Sequence, residues 1–391
     1  MFLNRNLFLV KKLRVFETFA GIGAQHKALE RLKENKILNY EIVATSEWDI
    51  DAILAYDAIH TLKPKKKLLS IDNYTFSRDG KTPTLLSKVE ETKYLKLKQA
   101  SNNINNLGSI TEIQAKDIPD FDLLTYSFPC QDLSIASMGR GKGMKRGEGT
   151  RSGLVWEIER ILRGLKREKR LPKYLLMENV QAICNKKNID DLNEWFKFLE
   201  SLGYYTHYEL LNAIDFGIPQ KRIRFFAVSI LNEDQNIFED IKINYADYCK
   251  KHKIKKLTLE NMFKVTEKFQ DELALAQPND TPSRRRLREQ NTKLETKGLE
   301  NIRTLTTKQD RHPNAGMKAY KAQSKGKAHF RFLTPRECYM LMGFESKDFD
   351  KVKKLDLSQI KLYQQAGNSI VVNVLEAIFL QIAKYDKELN E

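Results

Sequence analysis

The chain has only four cysteines in 391 residues, Cys130, Cys184, Cys249 and Cys338, and no two of them form a CxxC pair. That scatter excludes a disulfide framework, argues against structural zinc, and fits a reducing compartment such as the cytoplasm. No apolar run approaches the roughly 18 residues of a membrane span, so no membrane partner is expected. The first ten residues are mildly apolar, but they carry Arg5, lead into Lys11 and Lys12, and offer no small-residue cleavage site; no secretion signal is expected from them. There are no internal repeats. Acidic residues are in the minority: 51 Asp and Glu against 67 Lys and Arg leave a formal charge of +16, which favours an anionic partner such as nucleic acid. What is present, 41% hydrophobic and 30% charged residues, describes a soluble globular chain long enough for one large α/β domain and a smaller one.

From residue 13 to about 231, strand-like and helix-like stretches alternate. LRVFET (13–18), EIVATS (41–46), FDLLTY (121–126) and KYLLME (173–178) are apolar runs suited to buried parallel strands. Helical patterns lie between them, as at Ala24–Leu32 and Leu154–Leu165. This alternation predicts a doubly wound α/β sheet that binds ligands beyond the carboxyl ends of its strands. Residues 61–106 form an insertion whose lysines Lys65, Lys66 and Lys67 read as a solvated face. From about 232 the periodicity weakens. Residues 281–330 hold 13 Lys and Arg against 4 Asp and Glu, as an ordinary basic loop or a DNA-facing domain would. A helical pattern resumes at Thr334, and an apolar helix, roughly Ser369–Tyr385, ends the chain. The predicted domains are 1–231, 232–330 and a C-terminal segment 331–391 whose last helix returns to the first domain.

Chemistry-bearing residues fall at strand ends. Phe19-Ala20-Gly21-Ile22-Gly23 follows a strand and opens a helix, and glycine at 21 and 23 allows a sharp turn and close approach of a ligand. Glu47, at the end of the next strand, is a carboxylate suited to ribose hydroxyls, and Trp48 can stack on a base. Cys130, in Ser127-Phe128-Pro129-Cys130-Gln131, sits just past an apolar strand, where a thiolate would face ligand rather than core. A basic, glycine-rich stretch from Met138 follows, either a linker or a loop that closes over a phosphate backbone. Glu178, in Met177-Glu178-Asn179-Val180, is a carboxyl at a strand end that needs a partner or a task. Arg222 and Arg224, in Gln220-Lys221-Arg222-Ile223-Arg224, alternate and so share one strand face, either as salt-bridge partners or as fixed donors to a base and its phosphates. Asn368 or Ser369, in Ala366-Gly367-Asn368-Ser369, would cap the terminal helix.

Taken in order, FAGIG, EW, PCQ, ENV, QKRIR, RFLTPRE (331–337) and GNS resemble the bacterial DNA (cytosine-5)-methyltransferase family over residues 13–385. The resemblance implies a Rossmann-like, S-adenosylmethionine-dependent fold with a smaller, mostly irregular target-recognition domain. It implies Cys130 as the nucleophile at C6 of cytosine, Glu178 holding N3, and Arg224, with Arg222 less directly, steadying the flipped base; Gln131 adjoins the nucleophile. Phe19, Ala20, Gly21, Ile22 and Gly23 would line the S-adenosylmethionine pocket, with Glu47 on the ribose and Trp48 on the adenine. Ile110, Pro129, Leu154, Asn368 and Ser369 complete it. Ser109 stands where the family usually has Asp at the adenine amino group; serine still accepts a hydrogen bond, so adenine recognition is expected to survive. Implied DNA contacts are Ser134, Arg140, Lys142 and Arg151, with the loop 138–151 closing behind the flipped base. In the recognition region they are Arg284, Arg285, Arg286, Thr304, Leu305, Lys308 and Arg311, of which Thr304-Leu305 matches the family's Thr-Leu element.

The expected reaction is methyl transfer from S-adenosylmethionine, leaving S-adenosylhomocysteine, to a cytosine in double-stranded DNA, without metal. A paired restriction endonuclease, a monomeric state and a bacterial, nucleoid-associated location are expected with it. GMKRG and TRSGL are similar to CpG-methylating members, although they surround the active site and do not report target choice. Two alternatives are a tRNA-methylating relative and a catalytically silent DNA binder. The roughly 95 residues between Leu231 and Gly326, and the missing Cys-Phe-Thr signature, argue against the first. The intact Cys130, Glu178 and cofactor glycines argue against the second.

Overall fold

A computed structural model describes residues 11–129, 152–290, 296 and 298–386. In chain order, β1 (Leu13–Thr18), α1 (Ala24–Glu34), β2 (Tyr40–Ser46), α2 (Ile50–His60), α3 (Glu91–Asn103), β3 (Leu123–Tyr126), α4 (Val155–Arg167), β4 (Tyr174–Val180), α5 (Ile189–Ser201), β5 (Tyr204–Asn212), β6 (Gln220–Lys221) and β7 (Ile223–Leu231) build the first half. There follow α6 (Ile241–Lys251), α7 (Leu259–Thr266), α8 (Gln270–Leu275), α9 (Pro282–Gln290), β8 (Ile302–Arg303), β9 (Met317–Ala319), β10 (Phe330–Phe332), α10 (Pro335–Met340), α11 (Ser346–Lys353), α12 (Gln359–Asn368) and α13 (Val372–Tyr385).

Six strands form one sheet in the order β2-β1-β3-β4-β7-β5. The first four are mutually parallel, and β7 runs antiparallel to both its neighbours. Alternation along each strand feeds two hydrophobic layers. Val15, Leu123, Leu176 and Phe226 enter one layer with α1 and α13, while Phe16, Leu124, Leu175 and Phe225 enter the other with α4 and α5. A sheet covered on both faces needs apolar side chains at consecutive positions, which is why β3 reads as an unbroken run, LLTY, with every residue buried. This is the doubly wound α/β architecture expected from the alternating pattern.

The insertion folds onto this frame. Phe76, Leu97, Ala100 and Ile104 form a third apolar cluster with Ile50 and Ile53 of α2, and Lys65, Lys66 and Lys67 remain exposed. Composition changes near 232, but packing does not: Tyr245 and Tyr248 of α6 donate to the buried Glu376 of α13 at 3.0 and 2.8 Å, and Met262 of α7 lies in the main core. A separate small cluster, Met317, Ala328, Phe330 and Phe332, holds the β9–β10 hairpin. The RFLTPRE stretch is a buried knot, in which Arg331 grips Glu337 through two hydrogen bonds of 2.8 and 2.7 Å while Thr334 and Glu337 cap α10 reciprocally.

The terminal apolar helix starts within three residues of its expected place: the chain breaks at Ser369–Val371 between α12 and α13, and Val371, without a side-chain hydrogen bond, is the N-cap of the last helix. Asn368 closes α12 and Ser369 is its C-cap, so neither caps the terminal helix. The run Gln359–Tyr385 is apolar enough to cross a membrane, but 89% of its most apolar window is buried in the protein.

Candidate active site

The parallel strands β1 to β4 deliver their carboxyl ends to one edge of the sheet, and the loops there carry most of the candidate residues. After β1, Phe19 and Gly21 adopt left-handed backbone at φ 53° and 56°, turning the chain sharply into α1. A Cβ on Gly21 would meet nothing within 4 Å, so open space lies before this residue. Gly23 differs: a Cβ there would come within 2.4 Å of His60 and 2.8 Å of Tyr56. Its missing side chain is required by the packing of α1 against α2, a task the sequence did not show. Ala20 and Ile22 are buried, and Phe19 is half-buried.

Glu47 reaches across to this loop. One carboxylate oxygen accepts the Gly21 amide at 2.9 Å, and the other accepts the amides of Trp48 and Asp49 at 2.8 Å. Burial pushes its pKa up against those backbone donors. Asn106, which sequence reasoning missed, pins Glu47 from behind by accepting its amide (2.9 Å) and donating to its carbonyl (3.0 Å). The same strand-like contact lays Gly108-Ser109-Ile110 beside the end of β2. Ser109 is buried, with its hydroxyl 2.8 Å from that of Thr111, and Ile110 is buried next to it. Trp48, Pro129 and Leu154 are half-buried at the same edge, Asn368 is exposed and Ser369 is buried.

Glu178 stands near the end of β4. Because β7 is antiparallel, its start lies at the same edge, where Val180 faces Arg224 and Glu178 faces Phe226. Glu178 and Arg224 are therefore diagonal neighbours on one face, with Arg224 Nε 3.5 Å from the Glu178 carboxylate. Burial raises the Glu178 pKa, opposed by the charges of Arg224 and Arg222. Arg222 is placed differently from the expected shared strand face. It precedes β7, is buried, and donates to the carbonyls of Leu305 (2.9 Å), Gly367 (3.0 Å) and Ser369 (2.8 Å). The neighbouring Asn179, also missed, donates to the carbonyl of Phe128 at 3.1 Å and so ties β4 to the loop that leads to residue 130. Its signal was its place in ENV beside Glu178.

Cys130, Gln131, Ser134, Arg140, Lys142 and Arg151, and with them the loop 138–151, lie outside the described residues. The other three cysteines are free, and burial raises the thiol pKa of each, which leaves them poor nucleophiles.

In the basic region, Arg286 and Lys308 are exposed. Arg284 stacks over Phe332 with its guanidinium carbon 5.0 Å from the ring centre, Arg285 pairs with Asp280 at 2.9 Å, and Arg311 pairs with Asp310 at 2.9 Å. Thr304 is half-exposed and donates to Lys221 O at 2.7 Å. Leu305 is only 1% exposed, so its side chain packs in the core and does not itself meet a ligand, a correction to its reading as a DNA contact.

Below the Phe19–Gly23 loop lies a buried polar cluster that the sequence did not suggest. Tyr56 donates to Glu17 at 2.6 Å, His26 lies 2.9 Å from the same hydroxyl, and the His26 and His60 rings stack at 4.2 Å. Burial pushes Glu17 up to about 7 and, with the charges of Lys27 and Lys33, holds His26 down at about 3.

Residues 73–384 match the model of the family described as C-5 cytosine-specific DNA methylase. The chain is 36% identical to the orphan methyltransferase M.SssI of Spiroplasma monobiae, over 95% of this chain and 97% of that protein. It is 38% identical to the type II methyltransferase M2.ScrFI of Lactococcus lactis subsp. cremoris, over 95% and 99% respectively. Among solved structures it is similar in fold to the Dnmt2 methyltransferase of S. pombe, with a TM-score of 0.63, 18% identity, and 96% of this chain and 100% of that one covered.

Proposed function

The chain belongs to the C-5 cytosine-specific DNA methylases, and from that membership we propose that it methylates a cytosine flipped out of a short sequence in double-stranded DNA, through a covalent bond from Cys130 to C6. The chain is a DNA (cytosine-5)-methyltransferase, and its family uses S-adenosylmethionine. The finer reading rests on one observation: a sheltered carboxyl, Glu178, stands beside Arg224 at the sheet edge where Asn179 holds the carbonyl of Phe128, two positions before Cys130 in the sequence.

The residues at the edge fit the cofactor. The open space before Gly21 admits a close ligand, and Glu47 is held beside it with its carboxylate facing the same loop. Glu47 would take the ribose, Trp48 and Ile110 the adenine, and Ser109 its amino group, with Phe19, Ala20, Ile22, Gly23, Pro129, Leu154, Asn368 and Ser369 completing the wall. When bound, S-adenosylmethionine supplies an electrophilic methyl group at sulfur.

The chain's own residues make C5 reactive. The Cys130 thiolate adds to C6, and the displaced electron pair runs to N3, which Glu178 protonates or hydrogen-bonds. A carboxyl whose pKa is raised by burial is suited to that donation near neutral pH. Arg224 fixes Glu178 and points cationic donors at O2. After C5 is methylated, loss of its proton and elimination of the thiolate restore the ring and free Cys130. None of this is possible inside a duplex, so the base must leave the stack, at a cost of a few kcal/mol. Exposed Arg286 and Lys308, with Arg284, Arg285, Arg311 and Thr304 around them, form the recognition surface of residues 232–330, where phosphate contacts position the DNA and base contacts specify it. We read the enzyme as a cytoplasmic monomer working beside a restriction endonuclease of the same target. The test is bisulfite sequencing of DNA from a methylation-free host expressing the chain, beside Cys130→Ala. Protected cytosines in one recurring context, lost in the variant, are expected; protection that persists in the variant refutes the covalent route.

A further inference from the structure

One stretch of the target-recognition region, around Leu305, is tied to the catalytic sheet at a buried point, and side chains hold both of its backbone groups. Gln220 is fully buried. Its amide nitrogen donates to Leu341 O at 2.8 Å, and its amide oxygen accepts the Leu305 N–H at 2.8 Å. Arg222 takes the other side of the same residue, donating to Leu305 O while its second nitrogen holds Gly367 O and Ser369 O. Both backbone groups of Leu305 are thus held by side chains from a segment more than 80 residues earlier. Around this point β6 pairs with β8, and the recognition turn passes so close to the end of α12 that a Cβ on Gly367 would lie 2.4 Å from the Thr307 nitrogen.

The two surfaces that grip the turn are also those that carry the chemistry. Residues 220–222 run directly into Arg224, the partner of Glu178, and residues 367–369 include the cofactor-wall candidates Asn368 and Ser369. A turn held by buried hydrogen bonds cannot move without moving its partners or leaving polar groups unpaired. We propose that Gln220 is a positioning residue: it sets the Thr304–Thr307 turn against the base-holding and cofactor-holding segments, so that seating of the correct DNA sequence on the recognition region is transmitted to the catalytic step. This rests on the methyltransferase reading above and adds to it the route by which recognition reaches the site.

Gln220→Leu keeps the volume and removes both hydrogen bonds. On the folded variant, the ratio of kcat/KM for the target duplex to that for a duplex with one base pair changed should fall about tenfold to a hundredfold, the range for a buried group left unpaired. The loss should lie in kcat, with S-adenosylmethionine affinity, titrated by calorimetry, within about twofold of wild type. Gln220→Glu tests the geometry independently, because a protonated carboxyl reproduces the donor and acceptor of the amide; its discrimination should recover as pH falls, whereas Gln220→Leu should not. Unchanged discrimination in a folded Gln220→Leu overturns the proposal, as does a Gln220→Glu profile that follows wild type. Hydrogen exchange over residues 302–309 and 366–371 supplies a readout without turnover. Both stretches should lose protection together in either variant at neutral pH, and loss confined to one of them, or to neither, also overturns the proposal. A wild-type chain without methyl transfer would defeat the enzymatic reading, and the proposal with it.

Discussion

The carboxyl of Glu17 offers a measurement in which burial sets a number. It is fully buried at the end of β1, two residues before Phe19, with Tyr56 donating to one oxygen. Its pKa rises from 4.5 to about 7 because desolvation disfavours the charge more than the Tyr56 hydroxyl and the His26 amide support it. A carboxyl with a raised folded pKa holds a proton that the unfolded chain has already released. Its stabilising contribution is complete below pH 4.5 and is lost as pH rises towards 7. Between pH 5 and pH 8 the folded protein should lose about 2.5 kcal/mol through this one group, at about 1.36 kcal/mol per unit. Glu17→Gln keeps an acceptor for Tyr56 and removes the titration. With an unfolding entropy of roughly 2 cal/mol/K per residue, the gap in Tm between variant and wild type should widen by about 3 °C in the variant's favour from pH 5 to pH 8. His26, held at about 3, has the opposite sign: its contribution is complete above pH 6.5 and falls as the solution is acidified. Because it is present in both proteins, the difference between them reports Glu17. Differential scanning fluorimetry across pH 5–8 makes the measurement. A Tm gap that does not change with pH would refute the assignment of a neutral, buried Glu17.

Two further outcomes follow from the site. Gly21→Ala faces open space and carries only the strain of its positive φ, so its Tm should fall modestly, by about 1 °C for roughly 1 kcal/mol, while S-adenosylmethionine affinity falls at least tenfold; Gly23→Ala drives a methyl into His60 and Tyr56 and should lower Tm far more, and calorimetric titration with thermal melts separates the two. Glu178, its pKa raised by burial, acts as a donor only while protonated, so single-turnover methyl transfer should decline as pH rises through that pKa; Glu178→Gln should be about 10²- to 10⁴-fold slower and lack this limb, and a variant that keeps the limb would assign it to another group.

The parts of the protein written in short-range pattern were legible from residue order alone. LRVFET, EIVATS, FDLLTY and KYLLME became β1 to β4 nearly residue for residue, because strands buried on both faces leave continuous apolar runs that no surface element shares. The same holds for the strand-end loops. Gly21, Glu47 and Glu178 stand at the sheet edge because parallel strands present their carboxyl ends together, so a polar residue after each run is already placed by counting. Family resemblance supplied roles for these residues, which periodicity could not.

Other features depended on which distant segments meet. Nothing local in Gly23 distinguishes packing against His60 from ligand approach, and nothing in Arg222 and Arg224 shows that one clamps a recognition turn while the other faces Glu178. Gln220 looks like any polar residue before a strand until Leu305 and Leu341 arrive around it. Asn106 acquires its task only when the insertion returns beside β2, and the Glu17–Tyr56–His26 cluster only when α1 and α2 close over β1. Sequence by itself determined the four parallel strands, their apolar character and the identity of the residues at their ends, since these follow from period, turn chemistry and burial along the chain, whereas the strand order and the antiparallel β7 and β5 came from the fold. Tertiary structure alone decided the partners of those residues, and with them charge state, because desolvation and hydrogen bonding depend on atoms tens to hundreds of positions away.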